Sequence, residues 1–202
     1  MKRNSLLILL LCLLAPAVAF GAESAEQIMA KCAAKVCKAP SVEFKCTLDF
    51  GQKPVACLLT VSKEKYTLSM DDMKVWFDGI TQWTYATSTK QLSITEPTVD
   101  EQMESNPFAI LNHYTRAYSL KRLPTRALEI EMTAKSKFSN VRVAILTIDP
   151  KTYMPQKLKV TLSNGRTFTA TVGTATSGAK LPASKFVYDK KKFPAKEIVD
   201  LR

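Results

Sequence analysis

Residues 41 to 50 alternate strictly, with Val42, Phe44, Cys46, Leu48 and Phe50 on one face and Glu43, Lys45, Thr47 and Asp49 on the other. A period of two belongs to a strand with one face on a core and one in water, the arrangement that antiparallel sheets allow. The pattern recurs in Tyr66, Leu68 and Met70; in Leu92 and Ile94; in Leu128, Ile130 and Met132; in Met154, Gln156, Leu158, Val160 and Leu162; and in Phe168, Ala170 and Val172. Turn signals separate these runs at Gly51-Gln52, Asp149-Pro150 and Asn164-Gly165, the last predicting a two-residue hairpin. The result is a mainly β chain of about ten strands, and an antiparallel sheet of that width has to curl.

The strongest hairpin signal is Asp78-Gly79, which lies between the two tryptophans of the chain, Trp76 and Trp83. A two-residue turn would set Trp83 opposite Lys74. One more loop residue sets Trp83 opposite Val75 and Tyr85 opposite Met73, which makes one continuous apolar face and is the register we expect. It turns Trp83 and Tyr85 toward the core and leaves Trp76 on the other side.

Helical period shows in two places. From Ser24 to Cys37, a capping serine and a first-turn Glu26 precede the apolar stripe Ile28, Met29, Cys32 and Val36, and Pro40 stops the run. Between Glu96 and Tyr114, Pro97-Thr98 starts a short turn through Met103. Asn106-Pro107 then caps a second helix with Phe108, Ile110, Leu111 and Tyr114 on its apolar face. The basic segment Lys185 to Lys196, with Lys190-Lys191-Lys192, is expected to be a solvated tail.

Met1 to Ala22 combines Lys2 and Arg3, an apolar run from Leu6 to Leu14, and small residues around Ala17-Val18-Ala19. That is the build of a cleavable signal peptide, so residues 1–22 are expected to be removed and 23–202 to form a single exported domain. No later stretch approaches the twenty apolar residues of a membrane-spanning helix. Lys2 and Arg3 are two of 29 basic residues, so the remainder carries 27 against 18 acidic ones, a net charge of +9. For an exported chain such a charge favours anionic surfaces, lipids or acidic proteins over nucleic acid, and ordinary solubility accounts for it equally well.

Four cysteines follow the leader, at Cys32, Cys37, Cys46 and Cys57, an even number that suggests two disulfides in an oxidising compartment. If Gly51-Gln52 turns the chain, Cys46 falls opposite Cys57, whereas Cys32 and Cys37 on one helix could meet only at a frayed end. Bridges from helix to sheet are the alternative. The spacings match no usual zinc site. His113, the single histidine, has no nucleophile motif beside it, and Glu129 and Glu131 sit on the polar face of a strand, so no acid/base pair, metal site or cofactor loop is visible. The chain is not expected to be an enzyme.

Inward apolar positions exceed the helices available to cover them. Incomplete curling would leave an apolar cavity under the helices, and full closure would fill a barrel with its own side chains. The pattern alone leaves both open. Inward methionines (Met70, Met73, Met132, Met154) suit an adaptable pocket and a packed core alike.

The order of a strand, Asp78-Gly79, Trp83-x-Tyr85, an Asn106-Pro107-Phe108 helix and then Leu181-Pro182-Ala183-Ser184-Lys185-Phe186 resembles the LolA-type periplasmic carriers of outer-membrane lipoproteins. The resemblance implies an open antiparallel β half-barrel of about 10–11 strands lidded by short α-helices. It implies a monomer that binds the acyl chains of lipoproteins and takes them from an inner-membrane releasing transporter to an outer-membrane acceptor. A lipid- or lipoprotein-sensing module on the same half-barrel is the alternative. The cavity is then expected to be lined by Phe44, Leu48, Leu59, Tyr66, Leu68, Met70, Trp83, Tyr85, Phe108, Leu111, Leu128, Ile130 and Leu158. One departure stands out: where the family carries a lid-latching arginine, this chain has Ser62, with Lys63 as a substitute that lacks the planar fork.

Overall fold

The computed structural model describes residues 23–51 and 53–202; the segment read as a signal peptide lies outside them. Helix α1 (Ala25–Cys37) opens on a capping box: Ser24 Oγ accepts from Gln27 N at 3.2 Å, and Gln27 Oε1 accepts from Ser24 N at 3.0 Å. Such caps are worth about 1 kcal/mol. The helix buries the expected stripe of Ile28, Met29, Cys32 and Val36. Among the described residues no helix is long and apolar enough to cross a membrane.

Strands β1 (Ser41–Asp49), β2 (Val55–Ser62), β3 (Lys65–Ser69), β4 (Met73–Phe77), β5 (Gln82–Ala86) and β6 (Gln91–Thr95) form one antiparallel meander. Then come α2 (Val99–Ser105), a 3₁₀ turn at Pro107–Ala109, and α3 (Ile110–Ala117). A second meander follows, built from β7 (Tyr118–Arg122), β8 (Leu128–Ala134), β9 (Val141–Ile148), β10 (Pro155–Leu162) and β11 (Thr167–Gly178). The wings join where β1 pairs antiparallel with β11, and β12 (Glu197–Asp200) adds to β6 in parallel. These twelve strands make one open sheet in the order β12-β6-β5-β4-β3-β2-β1-β11-β10-β9-β8-β7, with β12 and β7 as its edges. The count is slightly above expectation; alternation did not reveal β7 and β12, which are short, or β9, whose apolar residues run on without a strict period of two.

The path between the wings shapes the sheet. From β6 to β7 there are ten strand spacings, about 48 Å if the sheet were flat. The 22 linking residues, mostly helical, span about 40 Å at best. The sheet therefore curls around the link, and the helices lie across its concave face. Both helical starts are those the sequence signals: Thr98 and Glu101 form a capping box on α2, and Asn106 Oδ1 accepts from Phe108 N at 3.1 Å.

Three local expectations need correction. Phe77 pairs with Gln82 and Trp76 with Trp83, so the β4–β5 loop holds four residues, Asp78 to Thr81, and neither expected register forms. The cause is Asp78, whose Oδ1 accepts from Ile80 N at 2.9 Å and Thr81 N at 2.8 Å and stabilises the longer loop. Trp76 and Trp83 thus share a face. At Asn164-Gly165 the loop is Ser163 to Gly165, three residues long, with Gly165 at φ 80° in the left-handed position such loops require. Finally, Lys185 to Lys196 is not a free tail. It packs Tyr188, Phe193 and Ala195 onto Trp76, Tyr85 and Leu92 on the outer face and leads into β12.

Cys46 lies directly opposite Cys57, as the turn position implies. All four thiols are unlinked here, and α1 stays helical through Cys37, so Cys32 and Cys37 lack the frayed end that a bridge between them needs. Oxidation is expected to link Cys46 to Cys57 alone. Peptide mapping after alkylation without reduction checks this: a Cys46–Cys57 cross-linked peptide is expected, with Cys32 and Cys37 carrying the alkyl group.

Candidate functional site

The concave face is continuous from wing to wing. Phe44, Leu48, Leu59, Tyr66, Leu68, Phe108, Leu111, Ile130 and Leu158, all expected to line a cavity, are at most 2% exposed. Met70 and Leu128 pack half-buried against the same cluster. The helices fill the concavity: Phe108 stacks on Phe44 with ring centroids 4.7 Å apart, and the α1 stripe lies in the same core. The open cavity expected under the helices is therefore absent from the described residues, because helix side chains fill the concave face.

Trp83 and Tyr85 are corrected. The longer loop sends both to the outer face, where Tyr85 Oη donates to Pro194 O at 3.2 Å and the ring of Trp76 lies 5.1 Å from that of Phe193. On neighbouring β4 the inward residues are Val75 and Phe77, the latter 5.0 Å from the Tyr66 ring. Phe77 was legible as two positions beyond Val75. On β5 the inner face is polar. Gln82 accepts a hydrogen bond from Tyr66 Oη at 2.5 Å and donates to Thr84 Oγ1 at 3.3 Å. Burial pushes the Tyr66 hydroxyl pKa up, so it stays a neutral donor.

The ends of α1 are clasped differently. At its start Glu23 pairs with Lys31 and accepts from Tyr153 Oη at 2.7 Å, while Arg122 donates to Glu23 O at 3.3 Å. The Lys31 and Tyr153 contacts hold the Glu23 carboxyl below its ordinary range. Beyond its end Ser62 donates from Oγ to Pro40 O at 2.7 Å. Lys63 stands in the adjoining turn at φ 56°. Beside this contact a groove of about 740 Å3 opens among Lys38–Pro40, Ser62–Lys65, Asp78–Ile80 and the segment from Lys180 to Phe186.

Catalytic geometry does not emerge. Glu129 accepts from Thr125 Oγ1 at 2.9 Å and Thr147 Oγ1 at 3.2 Å, and His113 is half-buried on α3. Among the described residues no cluster of three His, Cys, Asp or Glu side chains is placed to hold a metal ion.

The family model described as outer membrane lipoprotein carrier protein LolA matches residues 16–166. The chain belongs to the LolA family. Among solved structures, an uncharacterized conserved protein from Thermus thermophilus superposes with a TM-score of 0.58 at 12% identity, covering 88% of this chain and 99% of that one. This likeness shows a shared fold. A LolA superfamily protein from Nitrosomonas europaea gives a TM-score of 0.48 at 12% identity, over 83% and 99% of the two chains. An outer membrane lipoprotein-sorting protein domain from Vibrio parahaemolyticus, described as putative, gives 0.48 at 11%, over 84% and 97%. Comparison with curated proteins finds no match. The LolA-family chain is thus a lipoprotein-binding or carrier module built on an unclosed sheet.

Because Phe108 joins the 3₁₀ turn to the sheet through Phe44, Phe108→Ala is expected to cost about 3–5 kcal/mol. Trp83→Ala, on a half-exposed ring, should cost clearly less. Urea denaturation of both variants measures the difference.

Proposed function

We propose that this protein is a periplasmic carrier that takes the acyl chains of lipoproteins onto the concave face of its sheet and shuttles them from the inner to the outer membrane. One observation carries the reading: an apolar concave face is covered by three helices and a 3₁₀ turn instead of a second sheet. Helices held by side-chain packing can lift as units, whereas a sheet partner would have to break a ladder of backbone hydrogen bonds. The signal-peptide pattern of residues 1–22 supports export.

Energetics support a lid exchanged for cargo. A sixteen-carbon acyl chain left in water forgoes on the order of 12 kcal/mol, so its transit requires a cover. Lifting α1 and α3 exposes core side chains of similar chemistry, and the entering chain covers them again. Apolar surface is traded for apolar surface, and the net cost stays small enough for release. The polar hold on the lid is correspondingly light. The Ser62–Pro40 contact, as a neutral hydrogen bond, is worth about 0.5–1.5 kcal/mol, and an arginine fork reaching several carbonyls would hold more firmly. Closure here rests on the apolar stripe of α1 and on Phe108 and Leu111. An inner-membrane releasing transporter and an outer-membrane acceptor are the partners this role requires.

The experiment is transfer of a triacylated lipoprotein from inner-membrane vesicles bearing the native transporter. Soluble complex with this protein is expected, without competition from unacylated lipoprotein. Failure to solubilise acylated cargo would overturn the carrier role, and binding without onward delivery would instead describe a sensing module. Opening has its own readout. Burial pushes the Cys32 thiol pKa up to about 12, so it holds almost no thiolate near neutrality. In a Cys37→Ser background, Cys32 alkylation is expected to be slow in the free protein and several-fold faster during cargo exchange.

A further inference from the structure

The groove beyond the end of α1 is open while the helices are shut, so it is not the space they occupy. Its floor is apolar, formed by Ala39, Pro40, Leu181 and Ala183 over the fully buried Phe186. Ile80 stands beside it at the tip of the β4–β5 loop, 69% exposed. With the apolar floor it lines one groove, and a contiguous apolar patch of that kind, unlike a lone exposed side chain, marks a contact surface.

The polar groups of the groove divide into two sets. Ser62 Oγ is committed to Pro40 O, and Asp78 Oδ1 accepts from two amides of its own loop. These hold the walls. Lys38, Lys63, Lys65 and Lys180 stand around the groove against only Glu64 and Asp78, a local excess of positive charge. The volume, about 740 Å3, lies in the range of sites that enclose one small ligand, about 300–1,000 Å3.

We infer that this groove binds an amphipath with a single acyl chain and an anionic head group, carboxylate or phosphate. The chain lies along the Pro40–Ile80–Leu181 floor, and the head is neutralised by the surrounding ammonium groups, with Lys63 and Lys180 as the principal contacts. A long peptide fits less well, because the volume is that of a site for one small ligand. The inference does not depend on the carrier role. It rests on a groove present with the lid closed, and it concerns one chain with a charged head, not triacylated cargo.

Equilibrium dialysis of the exported full-length protein against radiolabelled hexadecanoate, below its micelle concentration, tests it. Saturable binding is expected, weakened by added salt. The same protein should bind a lysophosphatidylglycerol of equal chain length if the head site accepts phosphate, and only hexadecanoate if it accepts carboxylate alone. The uncharged monoacylglycerol should bind about tenfold more weakly, and inorganic phosphate should not displace the lipid. Lys63→Glu/Lys180→Glu should lose affinity about tenfold, and Ile80→Asp should weaken every lipid arm. All three positions are at the surface, and melting curves confirm that the variants fold. Equal affinity for the neutral glycerol ester, or unchanged binding in the charge-reversed variant, would overturn the inference. So would hexadecanoate binding that ignores Ile80→Asp while speeding Cys32 alkylation, since the lipid would then be in the concave core. Transfer of triacylated lipoprotein is scored separately, so either reading can fail without the other.

Discussion

The connection from β6 to β7 is the constraint on which the rest of the structure depends. It begins near one side of a twelve-stranded sheet and must deliver the chain to the opposite edge with 22 residues. That length forces the sheet to curl and lays α2, the 3₁₀ turn and α3 across the concavity, while β7 and β12 remain unpaired edges. The same link brings Phe108 onto Phe44 at the centre of the sheet, where the two wings meet through β1 and β11. Curl and coverage by helices have one cause.

A second consequence appears in β4, where Val75, Trp76 and Phe77 are all buried although alternate residues point to opposite faces. Toward β6 the apolar face of the sheet changes sides: Gln82 and Thr84 face inward, and Trp83, Tyr85, Leu92 and Ile94 face outward. The segment carrying Tyr188 and Phe193 then acts as an outer strap, pinned by the Lys196 N to Lys90 O and Leu201 N to Ile94 O hydrogen bonds and by the parallel pairing of β12. A lone edge meander with an apolar outer face would be prone to pair or aggregate. The strap covers that face while leaving the inner one to the helices.

Ser62 makes one contact beyond the end of α1, to the carbonyl of Pro40. Pro40 is also where α1 gives way to β1, so that hydrogen bond ties the junction to β2. The polar clasp at the other end, from Glu23 to Lys31 and Tyr153, lies at the surface, where solvent and salt weaken it. The hold on α1 therefore comes chiefly from its apolar stripe.

Alternation and helical period were enough to place α1, β1, the capping residues Ser24 and Asn106, and the opposition of Cys46 to Cys57, because each depends on spacing within a short stretch. The same local information identified most of the concave face, from Phe44 to Leu158, since inward residues on a strand share a parity. It failed where parity was set from elsewhere. Asp78 added loop residues through its carboxylate and so reversed Trp83 and Tyr85, a change that one hydrogen-bonding side chain imposes on a whole strand. Nor could composition distinguish a solvated lysine-rich tail from a strap, because Tyr188 and Phe193 gain their burial only once Trp76 and Tyr85 face outward. Which side chains border the groove with Lys63 and Lys180 was likewise decided by the tertiary structure, which brings four distant turns to one rim of the curled sheet.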